Sequence, residues 1–290
     1  MDGTMWRTLR SCGSRRAGRE PKATTLRDRR AGKASKTREE VPIMPESIQK
    51  TRKVALVTGG NKGIGFEVGR QLGRAGFLVL LGARNQKLGD AAAAKLREEG
   101  SEARAILLDL SSTETITKAA ERIASEHEHL DVLVNNAAIV DPADGPPSKA
   151  DISAVRRTFE TNFFATLEVT QAMLPLIRKS EAGRIVNVSS GLGSLTLHSD
   201  PNWKYAPYKI LGYCASKAAL NMMTVQLAYE LRDTAIKVNA ADPGYTATDL
   251  NQHRGTQTVE EGASETVRLA LLGADGPTGG FFERSGPEPW

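Results

Sequence analysis

Seven short apolar runs recur from residue 53 onward: VALVT at 54–58, FLVLLGA at 77–83, ARAILLD at 103–109, DVLVNNA at 131–137, RIVNVSS at 184–190, IKVNAAD at 236–242 and GGFFE at 279–283. Most are unbroken stretches of Val, Ile, Leu or Phe rather than an alternation of apolar with polar, which is the pattern of strands covered on both faces. Between them, residues 63–76, 85–99 and 112–128 have helical character over lengths that suit a crossover between parallel strands. Two further segments, 151–179 and 211–232, predict longer helices able to bury a broad face, for example at a subunit contact. No repeats interrupt the series. The alternation predicts an α/β fold, a doubly wound parallel sheet with helices on both faces, in a single domain. In such sheets ligands sit outside the carboxyl ends of the strands, so strand-end residues are where chemistry is expected.

Residues 1–43 break the pattern. They are rich in Arg, Lys, Ser, Thr and Gly, without periodicity, and predict a disordered basic extension ahead of a domain at 44–290. Met44 opens MPESIQKTRKVALVTGG, which reads as a start shortly before a first strand, so the extension is expected to be a product of start-site choice. Organelle targeting and a nucleic-acid or membrane-surface arm are the competing readings. The segment lacks the apolar stretch of a secretory signal. Charge is partitioned in the same way. Residues 1–53 hold 15 Lys/Arg against 6 Asp/Glu, which leaves 24 against 28 in the rest, so the net +5 conceals a mildly acidic body. That body gives no footprint for nucleic acid. With no apolar run of about 18 residues, no membrane span is expected either. Cys12 and Cys214 are the only cysteines, and with the four histidines they show no metal-ligand spacing. No metal is expected, and the cysteine count fits a reducing, cytoplasmic setting.

The first strand ends in Thr58-Gly59-Gly60-Asn61-Lys62-Gly63-Ile64-Gly65 and runs into a helix. Glycines at a strand–helix turn let the backbone bend sharply and let a pyrophosphate approach, while the helix start offers free N–H groups and the positive end of its dipole. In this position they predict dinucleotide binding on a Rossmann fold. The second strand ends Leu81-Gly82-Ala83-Arg84-Asn85, without the acid that binds the ribose 2′-hydroxyl of NAD. Arg84 is placed to pair with a 2′-phosphate instead, and Lys62 lies within reach of the same group. The expected cofactor is NADP(H) rather than NAD(H).

A tyrosine, with a pKa near 10, serves as an acid/base only where a nearby cation stabilises its phenolate. Tyr213 and Lys217 are four residues apart on one face of a predicted helix. Tyr205 and Lys209 have the same spacing, but Pro207 between them opposes a helix.

The TGxxxGxG spacing of the first turn and the run YCASKAA at 213–219 resemble the short-chain dehydrogenase/reductase family, over about 44–290, with its carbonyl-reductase branch the most similar. The resemblance implies catalytic roles for Asn162, Ser190, Tyr213 and Lys217. Lys217 holds the nicotinamide ribose and lowers the tyrosine pKa; Tyr213 passes a proton to the substrate oxygen. Ser190 orients the carbonyl, with Ser189, pointing to the other side of the strand, as the structural alternative. Asn162, in TNFFAT, holds a water of the proton relay. The cofactor is expected to contact Gly59, Asn61, Lys62, Gly63, Ile64 and Gly65 in the first turn. Arg84, Asp109 (beside the adenine) and Leu110 follow, then Asn135 of NNAA, where the family has NNAG. Tyr213, Lys217, Pro243, Gly244, Thr246 and Thr248 complete the set. The implied activity is NADP(H)-dependent reduction of an aldehyde or ketone to an alcohol, or the reverse, on a small-molecule substrate.

Between Ser190 and Tyr213 lie 22 residues carrying Trp203, Tyr205 and Tyr208, expected either to pack their own aromatics or to wall the substrate pocket. Residues 245–260, polar with Gly and Thr, are the second candidate lid. The long first loop is similar to that of carbonyl reductases, some of which are monomers, so a monomer and a homo-oligomer both remain open. Two other activities compete. A 3-oxoacyl-carrier-protein reductase would need a basic surface that the acidic body does not offer. A non-catalytic NADP(H)-sensing protein would not need the four catalytic residues.

Overall fold

The computed structural model describes residues 52–290, so the basic extension expected at 1–43 lies outside the described residues. The elements alternate as anticipated: β1 (Val54–Thr58), α1 (Gly63–Arg74), β2 (Leu78–Ala83), α2 (Gln86–Glu98), β3 (Ala103–Leu107), α3 (Thr113–Glu126) and β4 (Val132–Asn135), then α4 (Ile152–Phe159), α5 (Ala165–Ile177) and β5 (Arg184–Val188). A short α6 (Leu195–Ser199) precedes α7 (Leu211–Glu230), β6 (Lys237–Ala241), α8 (Val259–Ala270), β7 (Phe281–Glu283) and β8 (Gly286–Pro287). All eight strands form one sheet in the order β3-β2-β1-β4-β5-β6-β7-β8. The first seven run parallel, and only β8 pairs antiparallel, with β7.

Strand periodicity divides the core in two. Ala55, Val57, Val79, Leu81 and Val134 face the layer of α1, α2 and α8, where they meet Val68, Leu72, Leu96 and Val267. Their neighbours Leu56, Leu80, Leu133, Ile185 and Val238 face α3, α5 and α7 and meet Ile116, Ile123, Val169 and Met173. Both faces are closed, which explains why the strands carry unbroken apolar runs.

Every expected strand forms, usually shorter than the apolar run at its carboxyl end. Residues 108–109, 136–137, 189–190 and 242 lie just past the strand ends, and most of them border the crevice described below. Three expectations need correction. The single helix expected over 151–179 is interrupted by a π-helical turn, Glu160–Phe164, where the backbone bonds locally widen. The segment expected as a plain loop after Ser190 contains a 3₁₀ turn, Gly191–Gly193, and α6, whose start is capped by Ser194 Oγ accepting from the Leu197 amide at 3.1 Å. The sheet also gains β8, a two-residue strand too short to leave a sequence signal. On the long α7, Met222, Val225 and Tyr229 stay exposed.

Leu56 is fully buried at the centre of the sheet, whereas Leu88 on α2 is 56% exposed. Leu56→Ala is expected to cost about 2–5 kcal/mol in urea denaturation, and Leu88→Ala no more than about 0.5 kcal/mol.

Candidate active site

Strand order reverses between β1 and β4, and a crevice opens there at the carboxyl ends of the strands. A clasp holds its two walls. Thr58 Oγ1 accepts from the amides of Asn136 at 2.9 Å and Ala137 at 3.0 Å, and Asn136 Nδ2 donates back to the Thr58 carbonyl at 2.9 Å. Gly59 and Gly63 adopt left-handed conformations, φ 63° and 56°, that favour glycine. At Gly65 a Cβ would lie 2.6 Å from the Gly59 carbonyl oxygen and would also strike Asn136, so only glycine fits. Lys62 stands at the N-cap of α1 with no side-chain hydrogen bond to the helix start. The first amides of α1 are thus free of a competing side chain, between Asn61 and Ile64, and the turn suits a pyrophosphate.

The residues expected to choose the cofactor flank this turn. Arg84 follows β2 directly, is exposed, and makes no ion pair among the described residues. Lys62 is ion-paired with Asp249, in the loop after β6. Asp249 also meets His253 Nε2 at 2.8 Å, and the Lys62 and His253 bonds hold its carboxyl below the usual carboxylate range. Asp109 stands just past β3, where its carboxylate accepts from the amide and hydroxyl of Ser111 at 3.0 and 2.8 Å; Leu110 packs on the core. The Asn135 side chain faces into the protein. Its Nδ2 donates to Thr170 Oγ1 at 2.9 Å and Asn187 Oδ1 at 2.8 Å, inside the layer between the sheet and α5. The neighbouring Asn136, which sequence reasoning passed over, is the one that borders the turn.

After β6, Gly244 is left-handed (φ 65°) and follows Pro243. Thr246 is buried, with its hydroxyl donating to the Pro243 carbonyl at 2.8 Å, so its side chain braces the loop. Thr248 lies over the glycine turn: a Cβ on Gly63 would come 3.7 Å from its Cγ2.

Tyr213 and Lys217 occupy the first two turns of α7, both buried. The helix start is held from a distance. Asp144, in the loop after β4, accepts the amides of Gly212 and Tyr213 at 2.9 Å each. Lys217 Nζ donates to the Val188 carbonyl at 2.7 Å and stands 5.7 Å from the Tyr213 ring centroid. The Ser190 hydroxyl lies near the Tyr213 phenol. Burial drives that phenol well above its usual pKa, and Asp242 nearby pushes the same way, against the influence of Ser190. Burial lowers the Lys217 ammonium to about 8, opposed by the attraction of Asp242. Gly193 lets the 3₁₀ turn press on this helix, because a Cβ there would lie 2.8 Å from the Lys217 backbone.

Ser189 is excluded from the cleft: its hydroxyl donates to Asn221 Oδ1 at 2.5 Å, and it is buried. Asn162 sits in the π-helical turn. Its Oδ1 accepts from the Ile139 amide at 2.8 Å, and its Nδ2 donates to the Ile139 carbonyl at 3.0 Å and to Ser216 Oγ at 3.1 Å. Ser216 in turn donates to the Tyr213 carbonyl at 2.8 Å. These bonds tie the Asn162 side chain into the frame around Tyr213.

Tyr205 lies in a turn rather than a helix, so it does not share a face with Lys209. It packs edge-on against Trp203 and Tyr208 and reaches Tyr245 with a 6.0 Å centroid separation, joining the two candidate lid segments. Below the first segment lies a cavity of about 220 Å³, walled in part by Leu195, Tyr208, Ile210 and Cys214. Burial raises the Cys214 thiol to about 11, so it is not a thiolate at neutral pH. No helix among the described residues is long and apolar enough to cross a membrane.

Asp144→Ala strips the acceptor from two helix-start amides. It is expected to cost about 1 kcal/mol of stability and to lower turnover through displacement of Tyr213; Asp144→Asn retains a cap and most of both, as thermal melts and steady-state rates would record.

A family model described as short chain dehydrogenase matches residues 53–258. Carbonyl reductase [NADPH] 1 of Mus musculus is 33% identical over 287 residues, covering 84% of this chain and 100% of that protein. The solved structure of salutaridine reductase from Papaver somniferum superposes with TM-score 0.67 at 29% identity, covering 80% of this chain and 100% of that one. A short chain dehydrogenase of Escherichia coli CFT073, solved in complex with NADPH, gives TM-score 0.69 at 29% identity, covering 80% and 96%.

Proposed function

This chain belongs to the short-chain dehydrogenase family, and we propose that it is an NADP(H)-dependent carbonyl reductase acting through Tyr213, with its catalytic unit at 44–290. The observation that carries the reading is the convergence of Ser190, Tyr213 and Lys217 beside a glycine turn whose helix start is uncapped. Preference for the 2′-phosphate rests on the absence of an acid after β2 and on the exposed Arg84 in its place. The relatives that are named for NADPH, or were solved with it, support the same choice.

When bound, the reduced nicotinamide supplies the hydride. The chain supplies the proton and the geometry. The buried Tyr213 phenol keeps its proton at neutral pH and delivers it to the substrate oxygen. Lys217, held by Val188, stabilises the phenolate that remains. The Ser190 hydroxyl, next to the phenol, orients the carbonyl and takes up developing negative charge on its oxygen. Asn162 is a positioning residue that ties Ile139 to Ser216 behind the tyrosine. The 191–210 and 245–260 segments wall the substrate side.

Tyr213→Phe is expected to lower kcat by about 10²–10⁴ in an NADPH-oxidation screen of aldehydes, ketones and quinones, while NADPH affinity persists. Full activity in that variant would refute the mechanism, and cofactor binding without turnover across the panel would favour a sensing role. Arg84→Asp is expected to weaken NADPH binding at least tenfold, by loss of a charge-assisted bond of about 1.5–3 kcal/mol; unchanged affinity would refute the cofactor assignment. Because Lys217 loses its charge near pH 8, carbonyl reduction should decline as pH rises through that value.

A further inference from the structure

The carboxyl end of the chain closes on the active site through acids that the mechanism does not use. Asp242, at the end of β6, accepts the amide of Gly191 through Oδ2 at 2.9 Å and that of Gly244 through Oδ1 at 2.9 Å. One carboxylate thus fixes both the turn that carries Ser190 and the turn after β6. Glu288, beyond β8, brings its carboxyl within hydrogen-bonding reach of Asp242, and Glu283 on β7 completes a group whose oxygens lie within 4.8 Å of one another. Beyond Glu288, Trp290 stacks on Phe281 at 5.4 Å between centroids, and its carbonyl accepts the Thr196 amide at 3.0 Å, on the wall formed by α6.

Two ionised carboxylates do not share such a contact, whereas a protonated carboxyl donating to a carboxylate does. Lys217 attracts Asp242 but gives its hydrogen bond to Val188, so it supplies no proton between the two carboxyls. The other groups around the pair are Glu283, a like charge, and the neutral Tyr213 phenol. Glu288 Oε2 is buried without a hydrogen-bond partner among the described residues, a poor setting for a carboxylate. We propose that Asp242 and Glu288 share one proton, and that this bond pins the chain's end to the Ser190 turn and to the α6 wall of the substrate pocket. Both are positioning residues, and that role rests on the reading of Ser190 and Tyr213 as the reacting pair.

Burial and the two neighbouring acids raise the Glu288 carboxyl from 4.5 to about 8. Below about pH 4.5 the folded and unfolded chains both hold the proton, so the bond contributes fully. Between 4.5 and 8 only the folded chain holds it, and stability falls as pH rises; above 8 the two carboxylates repel. Glu288→Gln donates the same hydrogen bond without a titrating proton. The melting temperature of Glu288→Gln minus that of the full wild-type chain should be near zero at pH 4.5 and rise to about 4 °C or more at pH 8.5. Trp290 emission, assigned by comparison with Trp290→Phe, should shift to the red in the wild type above pH 8 and not in Glu288→Gln. Glu288→Ala should lower turnover several-fold, with Glu288→Gln restoring it. The melting and emission readouts need no substrate, so they stand even if no carbonyl is turned over. A melting difference that does not change with pH would overturn the proposal. So would stabilisation of the wild type, but not Glu288→Gln, by Mg²⁺ or Ca²⁺, because a cation rather than a proton would then hold the carboxyls together.

Discussion

A lysine ammonium buried in the protein interior is the constraint around which the site is organised. Taking such a cation out of water is disfavoured unless fixed partners replace its hydration. Here Lys217 has the Val188 carbonyl at 2.7 Å, the face of Tyr213 and the field of Asp242. Each of these comes from a different element, so keeping the lysine charged requires β5, β6 and α7 to meet at one level. The same requirement explains Gly193, since any side chain there would push the turn off the helix at the lysine itself.

The strand ends that meet at that level are held by a polar layer within a sheet that otherwise reads as apolar. Asn135 bonds Thr170 and Asn187; Asn187 also donates to Thr224 at 2.8 Å, and Ser189 bonds Asn221. These side chains connect β4 and β5 to α5 and α7, directly beneath Tyr213 and Lys217. Hydrogen bonds of this kind add modest net stability, about 1 kcal/mol each, but they fix direction as apolar contacts do not. Chemistry of the family's kind needs that directionality, because proton and hydride must arrive at adjacent atoms.

How much of this was legible in the sequence depends on how far each signal travels. The strands were legible because burial on both faces writes itself into consecutive residues. Tyr213 was distinguishable from Tyr205 because Pro207 is a local veto on helix. The π-helical turn was not legible, since a single wide turn within a long helical stretch carries no residue signature of its own. Asn136 was passed over because two adjacent asparagines at a strand end point to opposite sides, and the sequence does not mark which side chain faces the crevice. Asp144 and the Asp242–Glu288 contact were invisible for another reason. Their partners lie 69 and 46 residues away, and a lone carboxylate in a loop carries no mark of the amide or acid it will meet.

The substrate side is built differently from the cofactor side. The glycine turn, Thr58 and Asn136 are tied to the sheet by backbone geometry that few other residues satisfy. The substrate walls are tied to each other instead. Tyr205 meets Tyr245 across the two lid segments, Trp290 leans on Phe281 and receives Thr196, and Lys62 reaches Asp249 from the glycine turn. Such contacts tolerate replacement of one aromatic or ion pair by another, whereas a left-handed glycine or a buried ammonium does not. Cofactor chemistry is therefore written in residue identity at fixed positions, and substrate choice in the shape that two loops and a tail adopt together. That is why a single sequence discloses the first far more readily than the second.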